Sequence, residues 1–318
     1  MKRKHGFEFR IYRLNLFKFF PSSTPALPGT FNEYCGDKDL KKILKHSTHH
    51  RLDELFGFRK VIYKWSAREY RDYSKDYVKK SIVGITLARS AVEREGQTVT
   101  DSGIEETVLH THPPRAIPIH LMFYLDRHLV AVEYSSEIMN TNRWLNMLHK
   151  IFDSASHKLM FNMTLKLEPI AKDREIIKDF NSFSPLMMMK VHLRLPNPDL
   201  SPVTKVIYDE MMTGGIQDYI LQMENPDGLN QDQRARPYAA VALAQDGYKE
   251  GKLTMTGIRN ERIETISSGK GEAAKGFLSY DYEEFQKIVP IAIEELTDEI
   301  DQIISVDESE NNNEEETD

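Results

Sequence analysis

Apolar residues recur along this chain in two rhythms, one of two residues and one of three to four, and the alternation between them sketches its elements. Phe7, Phe9 and Ile11 alternate with polar residues over 7–13, the period of a half-buried strand. Pro21, Pro25 and Pro28 then predict a loop to about Tyr34. Leu40, Ile43, Leu44 and Leu55 share one face of a helix predicted over 39–55, and 58–65 reads as a second strand. No clear period holds over 66–81. Short strands are predicted over 83–88 and 104–109. The clearest hairpin joins 117–125 to 129–134 across Asp126-Arg127-His128. A helix follows over 137–153, with Ile138, Leu145, Leu148 and Phe152 as its stripe.

Beyond residue 157 the pattern restarts. It predicts a strand over 159–167, a short helix over 173–180 and a strand over 186–195 stopped by Pro196-Asn197-Pro198-Asp199. Ser201 is a good N-cap and Pro202 suits the first helical position, where its missing N–H costs nothing. The predicted helix runs over 202–223 and carries Ile216, Tyr219 and Ile220, with Gly214-Gly215 as a break or bend. A helix over 232–246 and a hairpin of 253–258 with 262–266 follow. The last helix is the most regular, with Phe285, Ile288, Val289, Ala292, Leu296, Ile300 and Ile303 at steps of three and four.

These elements predict an α+β class protein of two mixed sheet-plus-helix units, 1–156 and 157–280. A C-terminal amphipathic helix over 281–305 and a disordered acidic tail over 306–318 complete the chain. The apolar stripe of that helix suits either packing on its own domain or pairing with a second copy.

Charge changes the picture because it is sorted by position. Residues 1–80 carry 19 Lys and Arg against 9 Asp and Glu, whereas residues 281–318 carry 15 acids against one Lys, although the chain as a whole is at −7. Such asymmetry bears on partners rather than on fold. One cysteine, Cys35, excludes an internal disulfide framework and a thiolate-rich zinc site. No run approaches the length of a membrane span, and the apolar stretch after Lys2, Arg3 and Lys4 is broken by Glu8, Arg10 and Arg13. A cytoplasmic protein is expected, with a basic membrane-surface segment as the alternative for its N-terminus.

Catalytic signatures are scarce. There is no Gly-x-Ser-x-Gly elbow, and Ser267-Ser268-Gly269-Lys270-Gly271-Glu272 lacks the loop of a phosphate-binding motif. His110 and His112, with His120, His128 and a carboxylate such as Glu133, have the residue types of a zinc site, but Pro113-Pro114 follows at once. His49-His50-Arg51 suits a helix C-terminus, where cations favour the dipole, and offers a base and a phosphate-holding cation to a ribonuclease. No catalytic residue, metal or cofactor is assigned.

The stronger signal is basic and aromatic. Lys60, Lys64, Arg68, Arg71, Lys75, Lys79 and Lys80 are expected to contact phosphates, with Trp65, Tyr70 and Tyr73 stacking on bases. On a helix the spacing Tyr70, Tyr73, Tyr77 would align three rings. The competing reading packs these tyrosines on the core and leaves the cations as a solvated rim. The acidic tail either aids solubility or competes internally for the basic surface.

The hairpin with its phrase Leu129–Ser136 (LVAVEYSS), the helix after it, and the run Met189–Asp199 (MKVHLRLPNPD) resemble a bacterial family of unknown function over about residues 10–277. The layout is similar, more distantly, to the phage-lambda exclusion protein RexA. The resemblance implies a phage-defence protein that self-associates and binds DNA through charge. The expectation is thus non-specific nucleic-acid binding without enzymatic activity, with a homodimer or a partner protein encoded nearby. A toxin-like nuclease using His49, His50 or the His110 and His112 pair, and a protein-interaction or sensor module, are the alternatives.

Overall fold

The computed structural model describes residues 6–18, 36–58, 60–74, 80–100, 103–110, 115–161, 163–172, 175–194, 202–216, 218–268 and 273–309. In chain order the first half forms β1 (Phe7–Lys18), α1 (Asp37–Ser47), β2 (Glu54–Phe58), β3 (Val61–Asp72), β4 (Ile82–Thr100), β5 (Gly103–His110), β6 (Ala116–Tyr124), β7 (Leu129–Glu133), α2 (Ser136–Met139) and α3 (Arg143–Lys158). The second half forms β8 (Met163–Pro169), α4 (Glu175–Asn181), β9 (Leu186–Arg194), α5 (Pro202–Thr213), β10 (Asp218–Glu224), α6 (Arg236–Gln245), β11 (Leu253–Arg259), β12 (Arg262–Ser268), β13 (Lys275–Leu278), α7 (Tyr282–Lys287) and α8 (Val289–Ser309). This is the α+β class that the two rhythms predict.

The chain divides into two compact units. Unit 1 comprises residues 1–15, 127–131 and 167–318, and unit 2 comprises 16–126 and 132–166.

Unit 2 holds an antiparallel sheet in the order β6-β4-β3-β2, with β5 paired along the far end of β4 from Glu93↔His110 to Thr100↔Gly103. Alternation on β4 and β6 buries Val83, Ile85, Leu87, Ile119, Leu121 and Phe123. Phe123 meets Phe152 of α3 edge to face, with centroids 6.0 Å apart. α1 packs on α3 through buried Leu40, Ile43 and Leu44. On the opposite sheet face the Tyr73 ring lies over Gly84, where a Cβ would stand 2.8 Å from ring carbon Cε2.

Unit 1 holds a four-stranded antiparallel sheet in the order β10-β9-β11-β12. Leu186, Met189, Val191, Leu193, Leu253 and Met255 form its buried face, packed with Ile176 and Phe180 of α4, Ile207 of α5 and Val241 of α6. β13 pairs with β1 from Phe7↔Leu278 to Arg10↔Lys275. α8 packs on β13, and its Ala292, Ile293, Leu296 and Ile300 are fully buried. The apolar stripe of α8 therefore serves its own unit.

Several predicted boundaries are corrected. α1 stops at Ser47 rather than continuing to Leu55, because the Ser47 and Thr48 hydroxyls bond back to the Leu44 and Lys45 carbonyls. The residues after it turn through His50–Leu52 into β2, where Leu55 is exposed. Residues 66–72 belong to strand β3, so Tyr70 sits on a strand and not on a helix. The helix from Pro202 ends at Thr213, because Gly215 takes φ 63, and Tyr219 and Ile220 lie in β10. The last helix is broken at Ile288, just before Pro290, and α8 runs to Ser309, so residues 306–309 are helical. The proline loop of 21–28, Cys35 and residues 310–318 lie outside the described residues. Among the described residues no helix is long and apolar enough to cross a membrane.

Candidate nucleic-acid interface

The predicted basic surface lies along β3, and its charges meet a carboxylate. β2 and β3 pair antiparallel with Glu54 opposite Trp65, which sets Asp53 beside Ser66 with Lys64 and Arg68 on either side. Lys64 Nζ donates to Asp53 Oδ2 at 2.9 Å. Arg68 donates to both Asp53 oxygens, at 2.8 and 2.7 Å. Burial alone would raise the Asp53 carboxyl, but hydrogen bonds from Arg68, Lys64 and Ser66 hold it below the usual carboxylate range. Lys64 and Arg68 are thus the internal partners of Asp53.

The aromatic members diverge as well. Trp65 is 1% exposed and Tyr73 5%, so neither ring offers a face to a base, and the stacking role predicted for them is corrected. Tyr70 is half-buried, and its phenol is pushed up to about 12 by burial and then by Asp72. Lys60 and Arg71 are exposed and Lys80 is half-buried. Lys75, Lys79, Arg59 and Tyr77 lie outside the described residues.

A second group of cations sits where α1 ends. His49 leaves the helix in an extended conformation (φ −75°, ψ 132°), and its Nδ1 accepts the Arg51 backbone N–H at 3.3 Å, capping the turn His50–Leu52. Buried Leu52 anchors that turn. The His49 and His50 rings stack with centroids 4.5 Å apart, and His46 lies 6.0 Å from His49. Lys45, His49, His50 and Arg51 are exposed, as are His157 and Lys158 at the end of α3. Partial desolvation lowers the His49 pKa first. Repulsion from His50, Arg51, His46 and Lys158 lowers it further, and of these Arg51 and Lys158 are permanent cations. The cap fixes the chemistry too: Nδ1 holds its lone pair toward Arg51, so the ring proton of neutral His49 is on Nε2. The neutral His49 ring therefore offers an Nε2–H donor, and the base role considered for it would require the cap to open.

Among the described residues no metal set forms around the histidines weighed for a zinc site. His110 is on β5, and His112 lies outside the described residues. His128 is buried in the β6–β7 turn with φ 48. His120 Nε2 is 3.8 Å from Glu133 Oε2, and among the described residues no third ligand joins them. Among the described residues the one triad with ligand spacing is His192, Asp218 and Glu250 in unit 1. His192 Nε2 lies 3.0 Å from Asp218 Oδ1, and Nδ1 lies 3.7 Å from Glu250 Oε2. Arg194, opposite Asp218 in the β9–β10 register, ion-pairs with both carboxylates. Its guanidinium supplies the charge that a divalent ion would bring.

Residues 89–270, more than half of the sequence, match the family model described as Domain of unknown function (DUF4747). The chain belongs to this family. No curated protein matches it. Within the DUF4747 stretch lie His120, Glu133 and the His192 set, whereas the α1 end and Asp53 precede it.

Proposed function

We propose that this DUF4747 protein binds nucleic acid through its phosphates, without reading sequence, at the cationic surface formed by Lys45, His46, His49, His50, Arg51 and Lys158. One observation carries the reading: the charged neighbours that shape His49 are all positive, whereas Lys64 and Arg68 are spanned by Asp53. Exposed cations at the C-terminal ends of α1 and α3 also face the negative ends of two helix dipoles, which favours their charge. Lys60 and Arg71, exposed elsewhere on unit 2, are further cations open to a phosphate. Its setting in phage defence, with a second copy or a partner protein, rests on the resemblance of the strand and helix layout to phage-exclusion proteins.

The test is fluorescence anisotropy of labelled single-stranded RNA and duplex DNA across a salt series. Binding is expected to weaken by roughly 0.9 log units per log unit of salt for each duplex phosphate neutralised, and about 0.7 on single strands. Replacing His49, His50 and Arg51 by Gln flattens that slope. Absence of binding at low salt, or a slope that the triple variant leaves unchanged, overturns the reading.

A further inference from the structure

Arginines on unit 2 differ in what holds them. A carboxylate holds Arg68, whereas aromatic rings hold Arg89 and Arg143. The Arg143 guanidinium lies over Phe56 and Phe58 of β2, 4.4 and 4.1 Å from the ring centroids. The Arg89 guanidinium lies over Tyr63 and Trp65 of β3, at 5.0 and 5.8 Å. Among the described residues no carboxylate pairs with either guanidinium. Arg143 also opens α3, whose first turn carries no acidic residue.

Strand pairing gathers these groups into one layer. Phe56 stands opposite Tyr63 in the β2–β3 register, and Trp65 stands opposite Arg89 in the β3–β4 register. Residues opposite one another, and residues two apart on a strand, share a sheet face. Phe56, Phe58, Tyr63, Trp65 and Arg89 therefore lie on the face that meets Arg143 of α3. Trp65 is the buried floor of the layer, Phe56, Tyr63 and both arginines are half-buried, and Phe58 is 39% exposed. β2 is the last strand of the sheet, so the layer reaches a sheet edge.

The chemistry follows from what a ring contact leaves unused. Asp53 accepts N–H donors of Arg68. An aromatic ring fixes the plane of a guanidinium and attracts its charge, yet accepts none of its five in-plane N–H groups. Arg89 and Arg143 are thus oriented forks that keep both charge and donors, the form that matches phosphate oxygens. The exposed Phe58 ring beside them suits a ligand that carries apolar planes together with phosphates. A single strand presents both, whereas a duplex hides its base faces in the stack. The layer is also continuous with the α1 end. β2 starts two residues after the His50–Leu52 turn, and α3 runs about 22 Å from Arg143 to Lys158, whose charge acts on His49.

We propose that Arg143, Arg89 and Phe58 form a single-strand site, in which the two guanidinium groups take backbone phosphates and the Phe58 ring takes an unstacked base. The inference rests on the nucleic-acid reading above and adds to it a preference for unpaired strands. A strand held at the α1 end and extended along α3 reaches this site.

The experiment is fluorescence anisotropy of the full chain with three labelled probes of equal length: a single strand of mixed sequence, its duplex, and an abasic single strand that keeps the phosphates without bases. The mixed single strand is expected to bind tightest. Phe58→Ala lowers its affinity roughly tenfold and leaves the abasic strand and the duplex within about twofold, and Phe58→Trp restores it. Arg143→Gln and Arg89→Gln each reduce the single-strand salt slope by roughly 0.7. Arg143→Lys, which keeps the charge without the planar fork, recovers the slope but only part of the affinity. Circular dichroism checks folding, and Phe58→Leu replaces the Ala variant if that one is unfolded. Equal affinity for the three probes, or a Phe58 variant that binds the mixed strand as the parent does, overturns the base contact. Salt slopes unchanged in both arginine variants overturn the phosphate contacts. Either result leaves the reading at the α1 end standing if the His49, His50 and Arg51 variant still flattens the slope. Failure to bind any of the three probes overturns that reading itself.

Discussion

Two sets of cations from the same basic stretch end in opposite electrostatic states. Lys64 and Arg68 on β3 close on Asp53, whose side chain is 9% exposed, in a surface ion-pair set in which Arg68 is bidentate. Lys45, His49, His50 and Arg51 are exposed around the end of α1, where Arg51 and Lys158 are among the charges that act on His49. Both sets contribute equally to a charge count, yet only the second has an unspent field. The difference teaches that a polyanion site is located by where carboxylates are absent, and not by the density of Lys and Arg along a sequence.

The comparison can be broken most forcefully at α1. Replacing Lys45, His49, His50 and Arg51 by Gln is expected to weaken binding of single-stranded RNA on the order of a hundredfold at low salt, with the salt slope reduced by roughly 0.7 for each phosphate no longer neutralised. Anisotropy titration at several salt concentrations measures both quantities.

Next in size is Asp53→Ala, which strands two cations that now share its carboxylate. Removing these charge-assisted hydrogen bonds costs about 2 kcal/mol, read as a lower urea midpoint. The same variant frees Lys64 and Arg68 and is expected to raise RNA affinity several-fold. A stability loss with no gain in affinity would show that these cations lie away from the bound strand.

A pH series separates the two regions without any mutation. Falling pH adds charge at His49, so affinity is expected to rise as the solution is acidified. His49, lowered by partial desolvation and by its cationic neighbours, takes its proton below the ordinary histidine range. The buried pair behaves differently, and its sign follows from linkage. The folded pKa of His120, about 3, lies below its ordinary 6.5, so its stabilisation is present above 6.5 and is lost as pH falls toward 3. The folded pKa of Glu133, about 7, lies above its ordinary 4.5, so its stabilisation is present below 4.5 and is lost as pH rises through 7. Melting curves of His120→Gln and Glu133→Gln are expected to lose the acid and the alkaline limb respectively.

The smallest expected effect is Lys64→Gln with Arg68→Gln, which leaves RNA affinity within about twofold because surface ion pairs already occupy both heads. A drop as large as that of the α1 variant would invert the comparison.

Much of the fold was legible. The hairpins of β6 with β7 and of β11 with β12 follow from alternation around polar turns, and α3 follows from its stripe. The strand predicted over 58–65 caught the start of β3, and its continuation to Asp72 was hidden because the bulge at Glu69 interrupts the two-residue period. β10 was hidden because Ile216, Tyr219 and Ile220 satisfy a helical step as well as a strand, and Gly215 decides between them only through its left-handed conformation. The site was less legible. Asp53 is 11 and 15 residues from the cations it binds, a relation created by β2–β3 pairing and invisible to local spacing. His49-His50-Arg51 was visible as a helix-end cluster, but Lys158 joins it through the packing of α1 on α3. The hydrogen bonds that run from Glu69 through Thr86 and His120 to Glu133 draw one member from each of four strands, and only their register brings them together.

The most direct test is ultraviolet cross-linking of bound single-stranded RNA to the full chain, followed by peptide mapping. The account predicts adducts concentrated at His46–Arg51 and around Lys158, with little at Lys64–Arg68. Adducts confined to the β3 segment, with the α1 end unmarked, would contradict it.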